Sequence, residues 1–111
     1  MNIKNNSTTK INIEELYEII KTKSCSNDSN SYTKKLINNS PNYLAQKIGE
    51  EGVEVAISAL DHDRHNSSNT RQEIVNEVCD LLYHTTVLLV KYNINLDEIY
   101  NELAKRNQKN D

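Results

Sequence analysis

Glycine and proline are scarce in this chain, and their scarcity constrains its fold more than any other feature. The 111 residues include two Gly and one Pro. An all-β protein with many tight turns would need more of both, because these residues supply the backbone angles of turns. Trp and Phe are absent, so the core has to come from Leu, Ile, Val and Ala. The sequence therefore predicts an all-α protein, and its length fits one domain.

Apolar residues recur at helical spacing in four or five segments. Asn12 is a suitable N-cap for the first segment, and Ser40 followed by Pro41 marks another clear helix start. We expect helices over 13–23, 41–60 and 70–92, with a polar loop over 61–69. A short helical stretch through Leu36 and Ile37 should precede the second of these. The last helix should start after Asn95, with Glu98 in the capping-box position, and bury four residues: Leu96, Ile99, Tyr100 and Leu103. The result is a four- to five-helix bundle.

The expected organisation is a disordered lead-in over residues 1–11, one domain over 12–107 and a short tail over 108–111. The lead-in is polar and lacks the apolar core of a signal peptide. A net charge of -3 argues against sequence-independent nucleic-acid binding, and no apolar stretch approaches the roughly 20 residues that span a bilayer. Two cysteines do not suggest a disulfide framework, and Cys79 is expected to be buried in a helix. We therefore expect a cytoplasmic protein without nucleic-acid or membrane partners.

Acidic residues form a stripe along each of the two middle helices. At about 100° per residue, one lysine and three glutamates of the first helix fall within an arc of roughly 100°: Lys47, Glu50, Glu51 and Glu54. Apolar residues lie on both flanks of this stripe: Ile48, Val55 and Ala59 on one side, Val53 and Ile57 on the other. The stripe of the second helix contains Glu73, Glu77, Asp80 and His84. A helix facing solvent would not carry apolar residues on both sides of its acids.

Two such stripes need a compensating positive charge. Stacked like charges cost a few tenths of a kcal/mol per pair when exposed and far more when partly buried. Antiparallel packing of the two helices would bring Glu51, Glu54, Glu77 and Asp80 into one oxygen-rich site. Oxygen ligands without a His or Cys cluster suit Mg²⁺ or Mn²⁺ rather than zinc, and Mg²⁺ commonly binds substrate phosphates as well. The alternative is that these acids form a solvated face.

The acidic motifs resemble a known family. Glu50-Glu51-x-x-Glu54 with Glu77-x-x-Asp80 resembles the signature of the all-α nucleoside triphosphate pyrophosphohydrolases, the MazG-like superfamily. Three further segments are similar to the phosphoribosyl-ATP pyrophosphohydrolase of histidine biosynthesis: Ser31 to Thr33, Gln46 to Glu54, and Asp80 to His84. The resemblance covers roughly Ile13 to Arg106. It implies hydrolysis of phosphoribosyl-ATP to phosphoribosyl-AMP and pyrophosphate by a metal-dependent homodimer whose two chains share one core.

The same resemblance implies metal ligation by Glu51, Glu54, Glu77 and Asp80. Glu50 is either a fifth ligand or the residue that orients the attacking water. Lys47 is either a phosphate contact or an i,i+4 partner of Glu51, and His84 either contacts phosphate or supports the ligands. Glu73 is either a surface residue or a similar support. The candidates for substrate binding are Ser31, Tyr32 and Thr33 for the nucleotide, and Lys35 and Arg106 for the phosphoribosyl end.

Departures from the family and rival functions stay open at this point. In many organisms the activity is fused behind a phosphoribosyl-AMP cyclohydrolase domain, which this sequence does not show, so we expect a stand-alone enzyme. The segment 62–71 is longer than usual, which leaves substrate contacts there uncertain. The nearest rival is a general pyrophosphohydrolase acting on dCTP, dUTP or noncanonical nucleotides. A ferritin-like di-iron bundle would need two Glu-x-x-His pairs, which the chain lacks. A non-enzymatic acidic interaction module is the remaining alternative.

Overall fold

The computed structural model describes residues 9–28 and 30–110, and these residues form five helices without a strand. The helices are α1 (Ile13–Ser24), α2 (Tyr32–Asn38), α3 (Pro41–His65), α4 (Ser68–Lys91) and α5 (Leu96–Asn110). The predicted all-α class is confirmed. Residues 1–8 of the expected lead-in lie outside the described residues, and α5 includes residues 108–110, which the sequence placed in a tail. Among the described helices, none is long and apolar enough to cross a membrane.

The predicted starts of the first and last helices are confirmed by their capping contacts. The Asn12 side chain accepts a hydrogen bond from the backbone N–H of Glu15, and the Glu15 carboxylate accepts one from the N–H of Asn12. Asn95 and Glu98 form the same reciprocal pair before α5, with both bonds at 3.1 Å. Such pairs satisfy backbone donors that have no partner within the helix. These starts are therefore encoded locally.

The predicted polar loop over 61–69 is wrong. α3 continues to His65 and α4 begins at Ser68, so only Asn66 and Ser67 join the two helices. Asn66 adopts a left-handed conformation with φ of 48° and ends α3 by donating its N–H to the His62 carbonyl at 2.7 Å, a position where Asn can replace Gly. The polar composition reflects solvent exposure of a helical hairpin end. A connection this short makes α3 and α4 antiparallel neighbours.

The core lies at the open end of the α3–α4 hairpin. Leu44 near the start of α3 and Val87 near the end of α4 are fully buried, together with Ile20 of α1 and Leu36 of α2. α1 and α2 therefore close this end, where apolar burial stabilises the fold. The half nearer the turn is different, because Ile57, Leu60 and Val75 are exposed there, and Val53 at the middle of α3 is exposed as well. Glu51, Glu77 and Asp80 lie near the middle of the two helices, between the core and the turn.

The predicted burial of the α5 residues is wrong for the single chain. Ile99, Tyr100 and Leu103 are exposed, with Leu103 58% exposed, whereas Leu96 is half-buried. Cys79, which the sequence predicts to be buried in a helix, is exposed as well. Periodicity identifies an apolar face, but it does not say whether the same chain covers it. In the described part of this chain, those faces stay uncovered.

Candidate metal and active site

Three carboxylates from α3 and α4 converge on one point. Glu51, Glu77 and Asp80 each offer an oxygen, and these atoms lie within 4.8 Å of one another. Glu51 is only 7% exposed, and one buried oxygen of Glu51 and one of Glu77, both Oε1, have no hydrogen-bond partner. Buried carboxylate oxygens without a partner are unfavourable. An oxygen-only donor set of this kind fits a hard divalent cation.

The acidic side chains of this cluster repel one another. A hydrogen bond to Glu54 is the main reason why the pKa of Glu77 is raised above its ordinary value of 4.5. Partial burial and the negative charges of Glu54, Asp80 and Glu51 raise that pKa further. Glu54 thus acts on Glu77, but it is not one of the three carboxylates whose oxygens lie within 4.8 Å of one another. A bound cation would reverse the effect of this crowding on the carboxyl pKa values.

Lys47 and Glu50 form the edge of the cluster. The Lys47 ammonium lies 3.7 Å from Oε1 of Glu50 and 3.8 Å from Oε2 of Glu51. Partial burial alone would lower the pKa of Lys47, but Tyr32, Glu50 and Glu51 together outweigh it and raise that pKa. Glu50 is exposed and also accepts a hydrogen bond from the Gln46 amide at 2.9 Å. Lys47 is thus both a partner of Glu51 and a cation beside the cluster.

His84 is buried where α2 meets α4, next to the acidic stripe. Its Nδ1 lies 2.8 Å from the backbone oxygen of Asp80, and its Nε2 lies 2.8 Å from the hydroxyl of Tyr32. The Tyr32 ring stacks on Tyr83, with centroids 6.5 Å apart. The Tyr83 hydroxyl in turn shares a hydrogen bond with Thr33. The short helix α2 is fixed to the site by these contacts.

Comparison with known families agrees with this geometry. A family model described as phosphoribosyl-ATP pyrophosphohydrolase matches residues 13–107. This chain belongs to the phosphoribosyl-ATP pyrophosphohydrolase family. The predicted family resemblance is confirmed, and the match includes both acidic stripes as well as α2.

Two similar proteins are named phosphoribosyl-ATP pyrophosphatase, and a third is named as a histidine biosynthesis protein. The chain is 36% identical over 97 residues to phosphoribosyl-ATP pyrophosphatase of Clostridium novyi, covering 87% of this chain and 82% of that protein. It is 39% identical over 94 residues to phosphoribosyl-ATP pyrophosphatase of Metallosphaera sedula, covering 85% and 94%. It is 40% identical over 97 residues to the histidine biosynthesis bifunctional protein HisIE of Caldanaerobacter subterraneus, covering 87% of this chain but 44% of that longer protein.

Four other residues predicted to bind substrate differ from Tyr32 in their contacts and exposure. Ser31 caps α2 by accepting a hydrogen bond from the Lys34 backbone at 3.3 Å, and Thr33 is 1% exposed. Lys35 is exposed on α2, and Arg106 on α5 lies 3.2 Å from Glu102. Neither of these two cations forms an ion pair with the α3 or α4 carboxylates in the described part of the chain. Their substrate contacts stay predictions, as does a supporting role for the exposed Glu73.

Tyr43 was not singled out from the sequence, and Tyr83 was noted only as part of the segment from Asp80 to His84. Tyr83 contacts both Tyr32 and Thr33. Burial is the main cause that raises the pKa of Tyr32; Lys47 lowers it, and a hydrogen bond to Tyr43 contributes to the increase. Tyr43 lies one turn before Lys47, so its proximity to a predicted site residue was the available signal.

Proposed function

We propose that this chain hydrolyses 1-(5-phosphoribosyl)-ATP to 1-(5-phosphoribosyl)-AMP and pyrophosphate, the second step of L-histidine biosynthesis. The observation that carries the proposal is the convergence of Glu51, Glu77 and Asp80, with two unpaired buried oxygens, in a member of this family. A cluster of carboxylates cannot bind a triphosphate by itself, because both are anionic. It can do so through a divalent cation. The biosynthetic role of the family supports a cytoplasmic location.

The proposed cofactor is Mg²⁺, with Mn²⁺ as a substitute, held by Glu51, Glu54, Glu77 and Asp80. Carboxylate oxygens from two facing helices suit these hard ions, and no His or Cys side chain joins the described cluster. A bound divalent cation would supply charge neutralisation for phosphate oxygens and acidity for an attacking water. The protein's own part is to hold four acids at the spacing that the antiparallel hairpin sets.

Two side chains at the edge of the cluster act on the substrate in this proposal. Glu50 is exposed and bonded to Gln46 on one oxygen, which leaves its carboxylate beside the ligands and open to water. It would orient the attacking water or complete the metal coordination. Lys47, whose ammonium lies between Glu50 and Glu51, would contact a phosphate oxygen of the substrate. A fixed positive charge there stabilises the charge that develops on the departing pyrophosphate.

We further propose a homodimer. Val53 and Ile57 of α3 and Val75 of α4 are exposed apolar residues of the hairpin, and Val53 directly precedes Glu54 in the sequence. A chain of this length buries little of its own surface, and exposed apolar patches commonly mark interfaces. Ile57→Glu should therefore yield a monomer in light scattering, whereas Asp63→Lys, an exposed change on the same helix, should leave a dimer. A monomeric wild type would contradict this part.

The activity is tested by measuring pyrophosphate release from phosphoribosyl-ATP beside dCTP, dUTP and noncanonical triphosphates. The full chain is assayed with Mg²⁺ and with Mn²⁺, and Asp80→Asn serves as the inactive control. We expect phosphoribosyl-ATP to have the highest kcat/KM. Faster turnover of dCTP or dUTP would replace the proposal by a general pyrophosphohydrolase. No turnover of any triphosphate would favour the interaction module. Growth of a histidine auxotroph lacking this step provides the corresponding test in cells.

A further inference from the structure

The last helix extends away from the rest of its own chain. α5 has 15 residues, which makes it about 22 Å long. Near its start, the Tyr100 hydroxyl donates a hydrogen bond to Glu14 of α1. Every residue over 97–108 is nevertheless exposed, and the side chains of Lys105 and Arg106 contact Glu102 of the same helix. In the part of the chain that the structure describes, the second half of α5 is therefore uncovered.

One side of α5 is apolar and ends in a cation. At about 100° per residue, Leu96, Ile99 and Leu103 fall on the same side of the helix, and the last two are exposed. We call these three residues the α5 apolar stripe. Arg106 follows one turn after Leu103 at the edge of this side, whereas Lys105 lies on the opposite side. The α5 apolar stripe thus offers apolar surface to another helix, with a guanidinium at its carboxyl end.

A second apolar stripe is exposed on α3, beside the carboxylate cluster. Val53, Ile57 and Leu60 recur at i, i+4 and i+7, the spacing of one side of a helix, and each is more than half exposed. We call these three residues the α3 apolar stripe. Glu50 and Glu54, which are exposed as well, border it near the middle of the helix. Apolar surface is therefore combined with negative charge on α3.

The chain exposes more surface than a monomeric protein of its mass. Its accessible surface is 8057 Å², whereas a monomer of 12.8 kDa exposes about 6,300 Å². The excess of about 1,800 Å² is more than twice the roughly 800 Å² per partner that a standard interface buries. An interface of that size covers apolar surface on more than one helix. A second copy of the chain therefore fits both uncovered stripes.

The two apolar stripes match in length and in charge when they pack antiparallel. Each spans two turns of helix, about 10 Å. Glu50 precedes Val53 by three residues, as Arg106 follows Leu103 by three, so packing Leu103 against Val53 places Arg106 next to Glu50. Pairing of α3 with the partner's α3 would leave α5 exposed. A twofold axis that pairs α5 with the partner's α3 repeats the contact and covers all four stripes.

We propose that α5 of each chain packs antiparallel on α3 of the partner subunit, and that Arg106 thereby lies beside the partner's Glu50 and Glu54 in the partner's active site. The inference rests on the proposed function and on the proposed homodimer. It accounts for the described ion pair of Arg106, which is with Glu102 and not with the acids of its own α3. A guanidinium binds phosphate oxygens in a bidentate manner. We therefore expect Arg106 to bind a phosphate of the substrate held by the partner.

A cross-linking test locates α5 without any need for activity. The background is the full chain with Cys25→Ser and Cys79→Ser, and two chains of different mass, one carrying an affinity tag, are co-expressed. Val53→Cys in one chain and Leu103→Cys in the other should give a covalent dimer of mixed mass on a non-reducing gel, because a disulfide requires Cα atoms within about 7 Å. The matched control, Val53→Cys with Lys105→Cys, should give no covalent dimer.

A second pair of cysteines tests the same register one turn away. Ile57→Cys with Ile99→Cys should also cross-link, and it replaces the first pair if Val53→Cys or Leu103→Cys loses helix content in circular dichroism. Absence of mixed dimers from both pairs would overturn the proposal. Equal cross-linking of Lys105→Cys would overturn it too, since α5 would then have no fixed orientation. If Val53→Cys chains cross-link preferentially with one another, the α3 apolar stripes face each other and the proposal is wrong.

A complementation test asks whether Arg106 acts in the partner's site. Arg106→Ala alone should lower kcat/KM for phosphoribosyl-ATP by about 10- to 100-fold, the usual effect of losing a hydrogen bond to a charged group, whereas Lys105→Ala should match wild type. A heterodimer of an Arg106→Ala chain and an Asp80→Asn chain, purified through two different tags, then has both defects in one site and none in the other. We expect about half of the wild-type activity, because one of the two sites is intact.

The opposing outcomes of this test are distinct. If Arg106 acted within its own chain, each site of the heterodimer would have one defect, and activity no higher than that of Arg106→Ala would overturn the proposal. An Arg106→Ala enzyme with wild-type kcat/KM would overturn it as well, and so would a wild type that is monomeric in light scattering. If the wild type fails to cleave phosphoribosyl-ATP, the proposed function fails, and cross-linking still decides where α5 packs.

Discussion

Glu77 and Glu14 each interact with a side chain of another helix, and their pKa values shift in opposite directions. Between α3 and α4, a hydrogen bond to Glu54 and neighbouring negative charges raise the pKa of Glu77. Between α1 and α5, a hydrogen bond from the Tyr100 hydroxyl lowers the pKa of Glu14. Glu14 has a neutral donor that satisfies it. Glu77 has only further acids and an unpaired buried oxygen.

The difference separates a structural contact from a binding site. A carboxylate with a donor is stable as it is and needs no ligand. Carboxylates that crowd one another with oxygens unpaired keep their arrangement at a free-energy cost, which a cation can offset. Perturbed pKa values occur in both situations, so the direction of the shift and its cause carry the functional information.

The largest expected effect comes from neutralising one of the crowded acids. Glu54→Gln or Asp80→Asn should abolish turnover of phosphoribosyl-ATP, reducing kcat/KM by more than the roughly 100-fold typical of residues outside the ligand shell. Helix content should stay unchanged, because neither residue is buried in the core. Pyrophosphate release and far-ultraviolet circular dichroism measure the two properties.

The matched control is Glu18→Gln, which neutralises an exposed acid of α1 and should keep wild-type turnover. Near-normal activity of Glu54→Gln or Asp80→Asn would contradict the ligand assignment. In that case the two regions would differ in their electrostatics but not in function.

The next largest effect is stabilisation by the metal. At a Mg²⁺ concentration 100-fold above Kd, binding to the folded state alone adds about 2.7 kcal/mol, which corresponds to a rise in Tm on the order of 10 °C for a domain of this size. Thermal unfolding with EDTA and with Mg²⁺ measures it. Glu51→Gln should remove the rise, whereas Glu14→Gln should keep it. An equal rise in both variants would place the ion elsewhere.

The sequence predicts the acidic cluster better than it predicts what covers the helices. Glu51, Glu77 and Asp80 converge because helical periodicity puts them on matching faces of two antiparallel helices, and periodicity is a local property. The capping pairs of Asn12 and Asn95 are local as well. Such features can be identified from residue type and spacing alone.

Long-range packing could not be predicted in the same way. The segment 61–69 looks like a loop because it is polar, yet most of it is helical and simply solvent-exposed. Leu103 belongs to an apolar face of α5, but the spacing of that face does not tell whether the same chain buries it. The bond between Tyr32 and His84 joins residues far apart in the sequence. Its existence depends on how α2 packs on α4.

The pH dependence of stability should differ between the two regions. A raised pKa in the folded state means that Glu77 contributes stability below its ordinary pKa of 4.5 and loses it as the pH rises through the folded value. In EDTA, wild type should therefore lose Tm relative to Glu77→Gln as the pH increases above about 4.5. Because ligands bind as carboxylates, the gain in Tm from Mg²⁺ should grow over the same range. If the gain in Tm from Mg²⁺ did not change with pH, protonation of Glu77 in the metal-free cluster would be contradicted.

The smallest effect is expected where Tyr100 meets Glu14. The lowered pKa of Glu14 contributes stability above 4.5 that is lost as the pH falls through the folded value. The hydrogen bond to Glu14 and, less strongly, burial raise the pKa of Tyr100 above 10.0, so its contribution is present below that value and lost at higher pH. The contact is exposed, so Glu14→Gln and Tyr100→Phe should each lower Tm by only about 2 °C at neutral pH. Neither should change turnover, and the difference in Tm from wild type should disappear on acidification. A loss of activity in Glu14→Gln comparable to that of Asp80→Asn, with Tm lowered by no more than the expected amount, would mean that the contact between α1 and α5 contributes to the active site.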